Sequence, residues 1–340
     1  MKGRTIILDH FEDREAAALM VDGKLSDLLI AGDAPAPGTI YRAIADRPVK
    51  GQGGMFLKTP DGSAFLRQVK GLSPGQPLLV QVTGYAEEGK AIPVTQKVLF
   101  KSRYAIVTPD APGLNISRSI RDDDLRDELM VVAKEVMEGR EMGLILRSCC
   151  AEASADDIAD DVEEMAGLAD RVVNDESTEM EMLVAGDSPH VLAWRDWTET
   201  AEVVTEVGGF EEHGVLDFLE TAADPFVGFG KSGGMYIEPT RALVAIDVNT
   251  GNDASVAAGI KANMICARLL PQALRVRGLA GQITLDLAPM PKKDRRAFET
   301  TLRAAFRIDD IETALVGWTP LGHYELQRKR VRLPLSEVLG

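Results

Sequence analysis

Two apolar strands that each end near an aspartate, with one long helical segment between them, constrain the fold more than any other feature of this chain. Ala242–Asn249 and Gly281–Leu287 alternate apolar and polar residues, and Asp253–Leu274 has helical spacing. Pro271 is expected to bend this helix or end it early. A strand, a helix and a second strand favour a parallel pair joined by a right-handed crossover. The sequence therefore predicts an α/β arrangement here.

The polar residues of these strands predict a metal site. Asp247 and Asn249 project from one face of the first strand, and Asp286 lies on the polar face of the second. Parallel strands end at the same edge of a sheet, so the two carboxylates can converge, and they repel unless they share a proton or a cation. Oxygen ligands suit Mg²⁺ or Mn²⁺ better than zinc, and such a cation can activate water against a phosphodiester. Two alternatives stay open: separate turn caps, or an acid/base pair in a metal-independent hydrolase.

A second region, Gly38 to Lys97, has the pattern of a small β-barrel. Short apolar strands alternate with turns that contain glycine and proline. Phe56 and Phe65 lie on either side of the Asp61-Gly62 turn, where a hairpin could present both rings to the bases of RNA. The alternative is that both rings fill the barrel interior.

Composition limits the function. With 340 residues the chain is expected to form more than one domain, and its net charge of −15 repels nucleic acid overall. Contact with nucleic acid would have to use basic stretches such as Lys292–Arg307 and Arg328–Arg332. The acidic side of the helix expected over Asp156–Val173 is typical of a solvated face.

The cysteine content and the apolar runs indicate the compartment. Three cysteines form no disulfide framework and favour a reducing cytoplasm. No apolar run approaches the roughly 20 residues that span a membrane.

These residues resemble the catalytic region of the ribonuclease E/G family. The similarity is carried by Ala242–Gly251 and Leu279–Asp286, with Arg275–Leu279 between them and weaker matches upstream over essentially the whole chain. It implies a multidomain α/β (α+β) fold, in which an RNase H-like part contains an inserted S1/OB-type β-barrel and is accompanied by a 5′-end sensor-like region and a DNase I-like nuclease subdomain. The expected ranges are 1–35 and 190–231 for the RNase H-like part, 36–97 for the barrel, 98–189 for the sensor-like region and 232–340 for the nuclease subdomain.

The resemblance also implies a function. It suggests a Mg²⁺-dependent endoribonuclease of the cytoplasm that cleaves single-stranded RNA, in rRNA maturation or mRNA decay, to leave 5′-phosphate and 3′-hydroxyl ends. Asp247 and Asp286 would be catalytic and hold the metal, and Asn249 would assist catalysis. The positions that match RNA-contacting residues of the family are Phe56, Phe65, Lys90 and Arg118. Arg147 and Ser148 match a pocket for a 5′-monophosphate, although an ordinary ion pair is the alternative for Arg147.

Departures from the family pattern qualify these expectations. The sequence contains no Cys-x-x-Cys link, so we expect neither structural zinc nor a zinc-linked dimer; another homo-oligomer stays open, and no membrane partner is expected. Pro289 stands where an aspartate is usual, and Glu312 lies near a position that is usually basic. These departures motivate an alternative function: the chain is an RNA-binding protein of the same family whose nuclease activity is weak or lost.

Overall fold

The computed structural model describes residues 3–49, 53–68 and 71–339, which form two compact units. One unit joins Met1–Gly32 to Ala201–Gly340, and the other comprises Asp33–Thr200. The architecture is mixed α/β. Strands and helices are numbered in chain order.

The first sheet lies in the unit that contains both ends of the chain. Its strands are β1 (Arg4–Phe11), β2 (Arg14–Val21), β3 (Lys24–Ile30) and β14 (Glu202–Val204). The order is β14-β1-β2-β3, antiparallel except that β14 runs parallel to β1. Asp22 and Gly23 form the tight turn between β2 and β3 with φ of 48° and 74°, as two-residue hairpin turns require. The helices α4 (Gly209–Glu212) and α5 (Val215–Ala223) contribute Phe210 and Leu219 to its core.

The second unit contains a closed barrel of five strands, consistent with an OB-type fold. The strands are β4 (Ile40–Val49), β5 (Gly54–Thr59), β6 (Gly62–Leu66), β7 (Pro77–Val82) and β8 (Ile92–Thr95). The order is β4-β5-β6-β8-β7, and β7 pairs back onto β4 to close the ring. A further strand, β13 (Glu181–Val184), pairs with the first residues of β4, Ile40–Arg42. Closure removes the exposed strand edges that an open sheet would leave.

A smaller α/β layer completes the second unit. Its strands are β9 (Phe100–Lys101), β10 (Ala105–Thr108), β11 (Leu114–Ile116) and β12 (Gly143–Leu146), and its helices are α1 (Asp123–Val136), α2 (Ala155–Val173) and α3 (Pro189–Asp196). Helix α2 buries Val162 and Ala166 while Glu163 and Glu164 are exposed, so the solvated-face interpretation of its acidic side is confirmed there. The exception is Asp161, which accepts hydrogen bonds from Ser102 and from the backbone N–H of Tyr104.

The last sheet belongs to the first unit and carries the two aspartates. Its strands are β15 (Phe226–Gly228), β16 (Gly234–Pro239), β17 (Val244–Asn249), β18 (Gly281–Asp286), β19 (Thr313–Trp318) and β20 (Tyr324–Arg328). The order is β15-β16-β17-β18-β20-β19, and only the central pair β17–β18 is parallel. Helices α6 (Val256–Val276) and α7 (Arg295–Arg307) supply Leu270 and Phe298 to its core, and α8 (Leu335–Leu339) follows.

Helix α6 does not end early at Pro271. The helix begins after its N-cap Ser255 and runs through Pro271 to Val276. Proline in a helix interior costs about 3 kcal/mol because one hydrogen bond is lost and the ring crowds the preceding turn. Pro271 is buried between Leu270 and Leu274, which are both fully buried, and burial of such side chains contributes about 1.5–3 kcal/mol each. Packing therefore outweighs the local preference.

A buried ion network links the two sheets of this unit. Asp309 accepts hydrogen bonds from Arg275 of α6 and from Arg328 of β20, the latter at 2.5 Å. Arg275 also donates to the backbone carbonyl of Ser26 in β3 at 2.8 Å. Burial lowers the pKa of Arg328, and the charge of Asp309 opposes that change.

Within the described part of the chain, no helix combines the length and apolar character needed to cross a lipid bilayer.

Candidate active site

Alternation along β17 and β18 separates a packing face from a polar face. Val244, Ile246 and Val248 of β17 are buried against the helices, while Asp247 and Asn249 are exposed. In β18, Ile283 and Leu285 are buried and Asp286 is exposed. The apolar side chains fix which way each strand faces, and the aspartates therefore stand on the opposite face of the sheet.

The parallel register brings the two aspartates together. Asp247 is the register partner of Asp286, after three preceding pairs that start at Val244↔Ile283. Asn249 Nδ2 donates to Asp247 Oδ2 at 2.7 Å. Among the residues that the structure describes, neither carboxylate accepts a backbone N–H, so the turn-cap alternative has no support. The predicted convergence of the two carboxylates is confirmed.

His323 is a neighbour of this pair that sequence patterns did not reveal. Its Nδ1 lies 3.3 Å from Asp286 Oδ1, without the geometry of a hydrogen bond. Because Leu285 pairs with Tyr324 in the antiparallel β18–β20 ladder, the residue before Tyr324 comes to lie beside the residue after Leu285. The register of β20, which cannot be read from its own residues, is the signal that was missing.

An aromatic pair continues the same row of residues on the other side of Asp247. Tyr236 of β16 is the register partner of Asp247, and Phe226 of β15 is the register partner of Tyr236. The two ring centroids are 5.0 Å apart. Neither residue was predicted from the sequence, although the apolar Met235 and Ile237 on either side of Tyr236 indicate a ring that faces outward.

Asn263 of α6 holds the chain just beyond Asp286. Its Nδ2 donates to the carbonyl of Ala288 at 2.8 Å, and its Oδ1 accepts the N–H of Ala288 at 3.0 Å. One turn earlier, a Cβ at Gly259 would lie 2.5 Å from the carbonyl oxygen of Pro289, so only glycine lets the helix approach this closely. The departure at Pro289 therefore lies in a segment that the helix fixes through backbone groups.

The donor set fits a hard cation. Within the described ranges, no group of three or more His, Cys, Asp or Glu side chains is arranged to hold a metal ion, and the site offers two carboxylates and one amide. Mg²⁺ keeps several of its waters and binds through one or two carboxylates, whereas a structural zinc site needs four protein ligands. The available oxygen atoms are thus suited to Mg²⁺ or Mn²⁺.

The basic stretches near the C-terminus contribute unequally. Lys292 and Lys293 follow β18 and are exposed. Arg328 is only 1% exposed and is paired with Asp309, and Arg332 Nη2 lies 3.4 Å from Asp27 Oδ2. The expectation that Arg328–Arg332 forms a basic surface is therefore wrong for these two arginines, because the fold uses them as internal partners. Glu312 is exposed, with its carboxylate 4.0 Å from Lys329 Nζ.

The barrel surface, in the other unit, carries the predicted phenylalanines. Phe56 and Phe65 are register partners in the β5–β6 hairpin, with ring centroids 5.2 Å apart. Leu57 and Ala64 point into the barrel core instead, so the alternative that the rings fill the interior is wrong. The guanidinium of Arg47 lies 5.0 Å from the Phe56 ring centroid. The three side chains form a row on the outer surface.

The remaining predicted contacts are spread over the second unit. Lys90 is exposed and forms an ion pair with Glu87. Arg118 is exposed in the segment after β11, and Ser148 is exposed at the start of a short 3₁₀ helix.

Arg147 is engaged by protein groups. Its guanidinium donates to the carbonyls of Ser102 and Arg195 at 2.7 and 2.9 Å and to Asp196 at 3.1 Å. Burial would raise the pKa of Asp196, but hydrogen bonds and charge from Arg195 and Arg147 outweigh it and lower that pKa. A phosphate at Arg147 would have to compete with this carboxylate, which favours the ion-pair alternative.

The chain is thus a mixed α/β protein with an OB-type barrel and a sheet that exposes a pair of carboxylates. The sequence model of the Ribonuclease E/G family matches residues 100–206 and 195–331, and the chain belongs to this family. It is 27% identical over 309 residues to Ribonuclease G of Salmonella typhimurium, covering 78% of this chain and 62% of that protein. It is 24% identical over 389 residues to Ribonuclease E of Synechocystis sp., covering 97% and 57%. The chain thus spans about three-fifths of the length of these curated relatives.

Proposed function

We propose that this chain is a Mg²⁺-dependent endoribonuclease that cleaves single-stranded RNA in RNA processing. The observation that supports this function best is the register pair Asp247↔Asp286 on the exposed face of the parallel strands. Two like charges directly opposite each other on neighbouring strands destabilise a sheet, so their presence on a face that packing does not need suggests a bound cation. Family membership makes RNA the expected substrate.

In the proposed mechanism, Asp247 and Asp286 would hold the cation, and Asn249 would orient Asp247 through its amide hydrogen bond. When bound, Mg²⁺ would stabilise charge on the phosphate and would make water a better nucleophile. Attack of water on phosphorus would form the new P–O bond and break the P–O3′ bond. The attacking water would lose a proton to solvent and the leaving O3′ would take one up from solvent, which leaves a 5′-phosphate on one fragment and a 3′-hydroxyl on the other. The outer rings Phe56 and Phe65, with Lys90, would bind RNA on the barrel.

The proposal includes the finer arrangement of the family. We infer an RNase H-like part from β1–β3 and β14, an inserted S1-type barrel from β4–β8, a sensor-like layer from β9–β12, and a DNase I-like subdomain from β15–β20. Arg118 would contact RNA, and Arg147 with Ser148 would favour 5′-monophosphorylated ends if the phosphate can replace Asp196.

A second candidate is an RNA-binding protein whose nuclease activity is weak or lost. It is favoured by the engagement of Arg147 with Asp196 and by proline at position 289. A third candidate is an acid/base hydrolase that uses no metal. Its activity would survive a chelator, whereas that of a Mg²⁺-dependent nuclease would not.

The test is cleavage of a short single-stranded RNA with a 5′-monophosphate, with Mg²⁺ or EDTA, by the wild type and Asp247→Asn. We expect the wild type to cleave with Mg²⁺ and not with EDTA. The cleavage rate of Asp247→Asn should be lower by at least about 100-fold, because the stabilisation of charge by a metal is worth several kcal/mol. The matched control is Glu238→Gln, which removes the same charge from the same face of the neighbouring strand, opposite Ala245. Cleavage that survives EDTA excludes this mechanism, and RNA that binds but stays intact with every divalent ion supports the RNA-binding alternative.

A further inference from the structure

Phe226 and Tyr236 expose two aromatic rings where packing does not require them. Phe226 is 40% exposed and Tyr236 is 41% exposed. The sheet's core takes its apolar side chains from the alternate positions, Met235 and Ile237 on the same strand, with Val227 packed against them. Aromatic rings left on a surface retain a large apolar area that a ligand can cover.

The position of the pair relates it to the carboxylates. Tyr236 lies directly opposite Asp247 in the antiparallel β16–β17 ladder, and Cβ atoms of such partners are about 4.5–5.5 Å apart. Phe226, Tyr236, Asp247 and Asp286 thus stand on four consecutive strands in one row across the sheet face. A base is joined to its phosphate through a single ribose, so a nucleotide whose phosphate lies at the aspartates has its base within reach of these rings.

The same geometry occurs in the barrel, at the rings that the family resemblance relates to RNA. Phe56 and Phe65 are cross-strand partners with centroids 5.2 Å apart and ring planes at 49°; for Phe226 and Tyr236 the values are 5.0 Å and 49°. In each pair one ring lies over a glycine, since a Cβ on Gly54 would be 2.4 Å from Phe65 Cζ and a Cβ on Gly234 would be 2.4 Å from Phe226 Cζ. The missing side chain lets the ring lie low over the strand.

We propose that Phe226 and Tyr236 form a stacking subsite for one unpaired nucleobase of the RNA, adjacent to the phosphate at Asp247 and Asp286. This inference rests on the proposed function for the identity of the ligand. Stacking on an aromatic face tolerates every base and requires a base that is free of a duplex. The subsite therefore selects for single-stranded RNA next to the cleaved bond without selecting for sequence.

The experiment is a scan of single abasic positions through a short single-stranded RNA. Binding to the full chain is measured by fluorescence anisotropy, with Ca²⁺ in place of Mg²⁺ to slow cleavage. For the wild type we expect a position at which loss of the base weakens binding by about 5-fold or more, in addition to any position that stacks on Phe56 and Phe65 of the barrel. Tyr236→Leu and Phe226→Leu should weaken binding of the intact RNA by a similar factor and remove the penalty at that position. The matched control Tyr236→Phe keeps the ring and should keep the penalty.

The inference is overturned if no abasic position is penalised, or if every penalised position keeps its penalty in both leucine variants. Photo-crosslinking of RNA that carries 5-bromouridine at the sensitive position, mapped by mass spectrometry on the wild type, needs no variant; a crosslink outside the peptides of Phe226 and Tyr236 also overturns it. Because these assays measure binding, a chain that shows the penalty yet does not cleave in Mg²⁺ has the subsite but not the proposed activity. A chain that cleaves in Mg²⁺ without any penalty has the activity but not the subsite.

Discussion

Replacing Asn263 with alanine tests how α6 holds the end of the strand that carries Asp286. Asn263 is fully buried, and its amide pairs with both backbone groups of Ala288, at 2.8 and 3.0 Å. The side chain thus satisfies both backbone hydrogen-bonding groups of Ala288, as a neighbouring strand would in a sheet. No other natural side chain of similar size offers a neutral donor and an acceptor at the same two points.

The magnitude follows from the two groups that alanine would leave unpaired. The N–H and the C=O of Ala288 lie in a residue that is 5% exposed, and an unpaired buried polar group costs about 1–3 kcal/mol. We therefore expect the free energy of unfolding to fall by about 2–6 kcal/mol, and by a value near the lower limit if water enters the vacated space. Amide hydrogen exchange should rise in residues 281–290 before it rises in the buried strand β17.

The assay combines urea unfolding, followed by circular dichroism, with hydrogen exchange measured by mass spectrometry. The matched control is Asn252→Ala, which changes an exposed asparagine of the same unit and should stay within about 0.5 kcal/mol of the wild type. A loss below about 1 kcal/mol for Asn263→Ala, with unchanged exchange near Ala288, would refute the reasoning.

Three further predictions concern other parts of the chain. Gly278→Ala places a Cβ 1.8 Å from the carbonyl oxygen of Leu333 at φ +64°, so its thermal unfolding temperature should fall well below that of Gly214→Ala, which has a similar φ of +69° but open space; equal losses would mean that only φ matters. Burial raises the pKa of Cys266 to about 12, so iodoacetamide should modify it in the unfolded chain alone, a result that mass spectrometry of the labelled peptides decides. If Arg147 binds a 5′-monophosphate, RNA with that group should be cleaved faster than 5′-hydroxyl RNA, and Arg147→Gln should remove the difference; equal wild-type rates would leave the arginine as a structural ion pair.

The sequence predicted the central strand pair and the convergence of the aspartates because that information is local. Alternation fixes the face of each strand, and a crossover helix makes the pair parallel. The outward rings of Phe56 and Phe65 were predicted only as one of two alternatives, because a barrel strand can present either side to its core. The neighbouring residues Leu57 and Ala64 take the interior, which settles the choice.

The missed features depend on pairings between distant segments. No helix or strand was predicted within residues 190–230, since α4 and α5 are short and each begins after a glycine in the left-handed region, Gly208 and Gly214. Strand β15 has three residues, too few for a periodic pattern, so the partner of Tyr236 could not be identified. His323 reaches Asp286 through the register of β20, which Tyr324 and the ladder fix in three dimensions.

The two faces of β17 and β18 explain why the carboxylate pair can be both close and exposed. On one face, Ile246 and Leu285 are register partners and pack into the core with Phe298, so any slip of the register would expose buried side chains. Asp247 and Asp286 follow these residues directly, so the same register aligns them. This alignment requires no contact between the two aspartates. A serine at either position would leave the packing face unchanged and would remove the repulsion between the charges. The core therefore accounts for where the two side chains lie, and the cation proposed for the pair would account for why both are acidic.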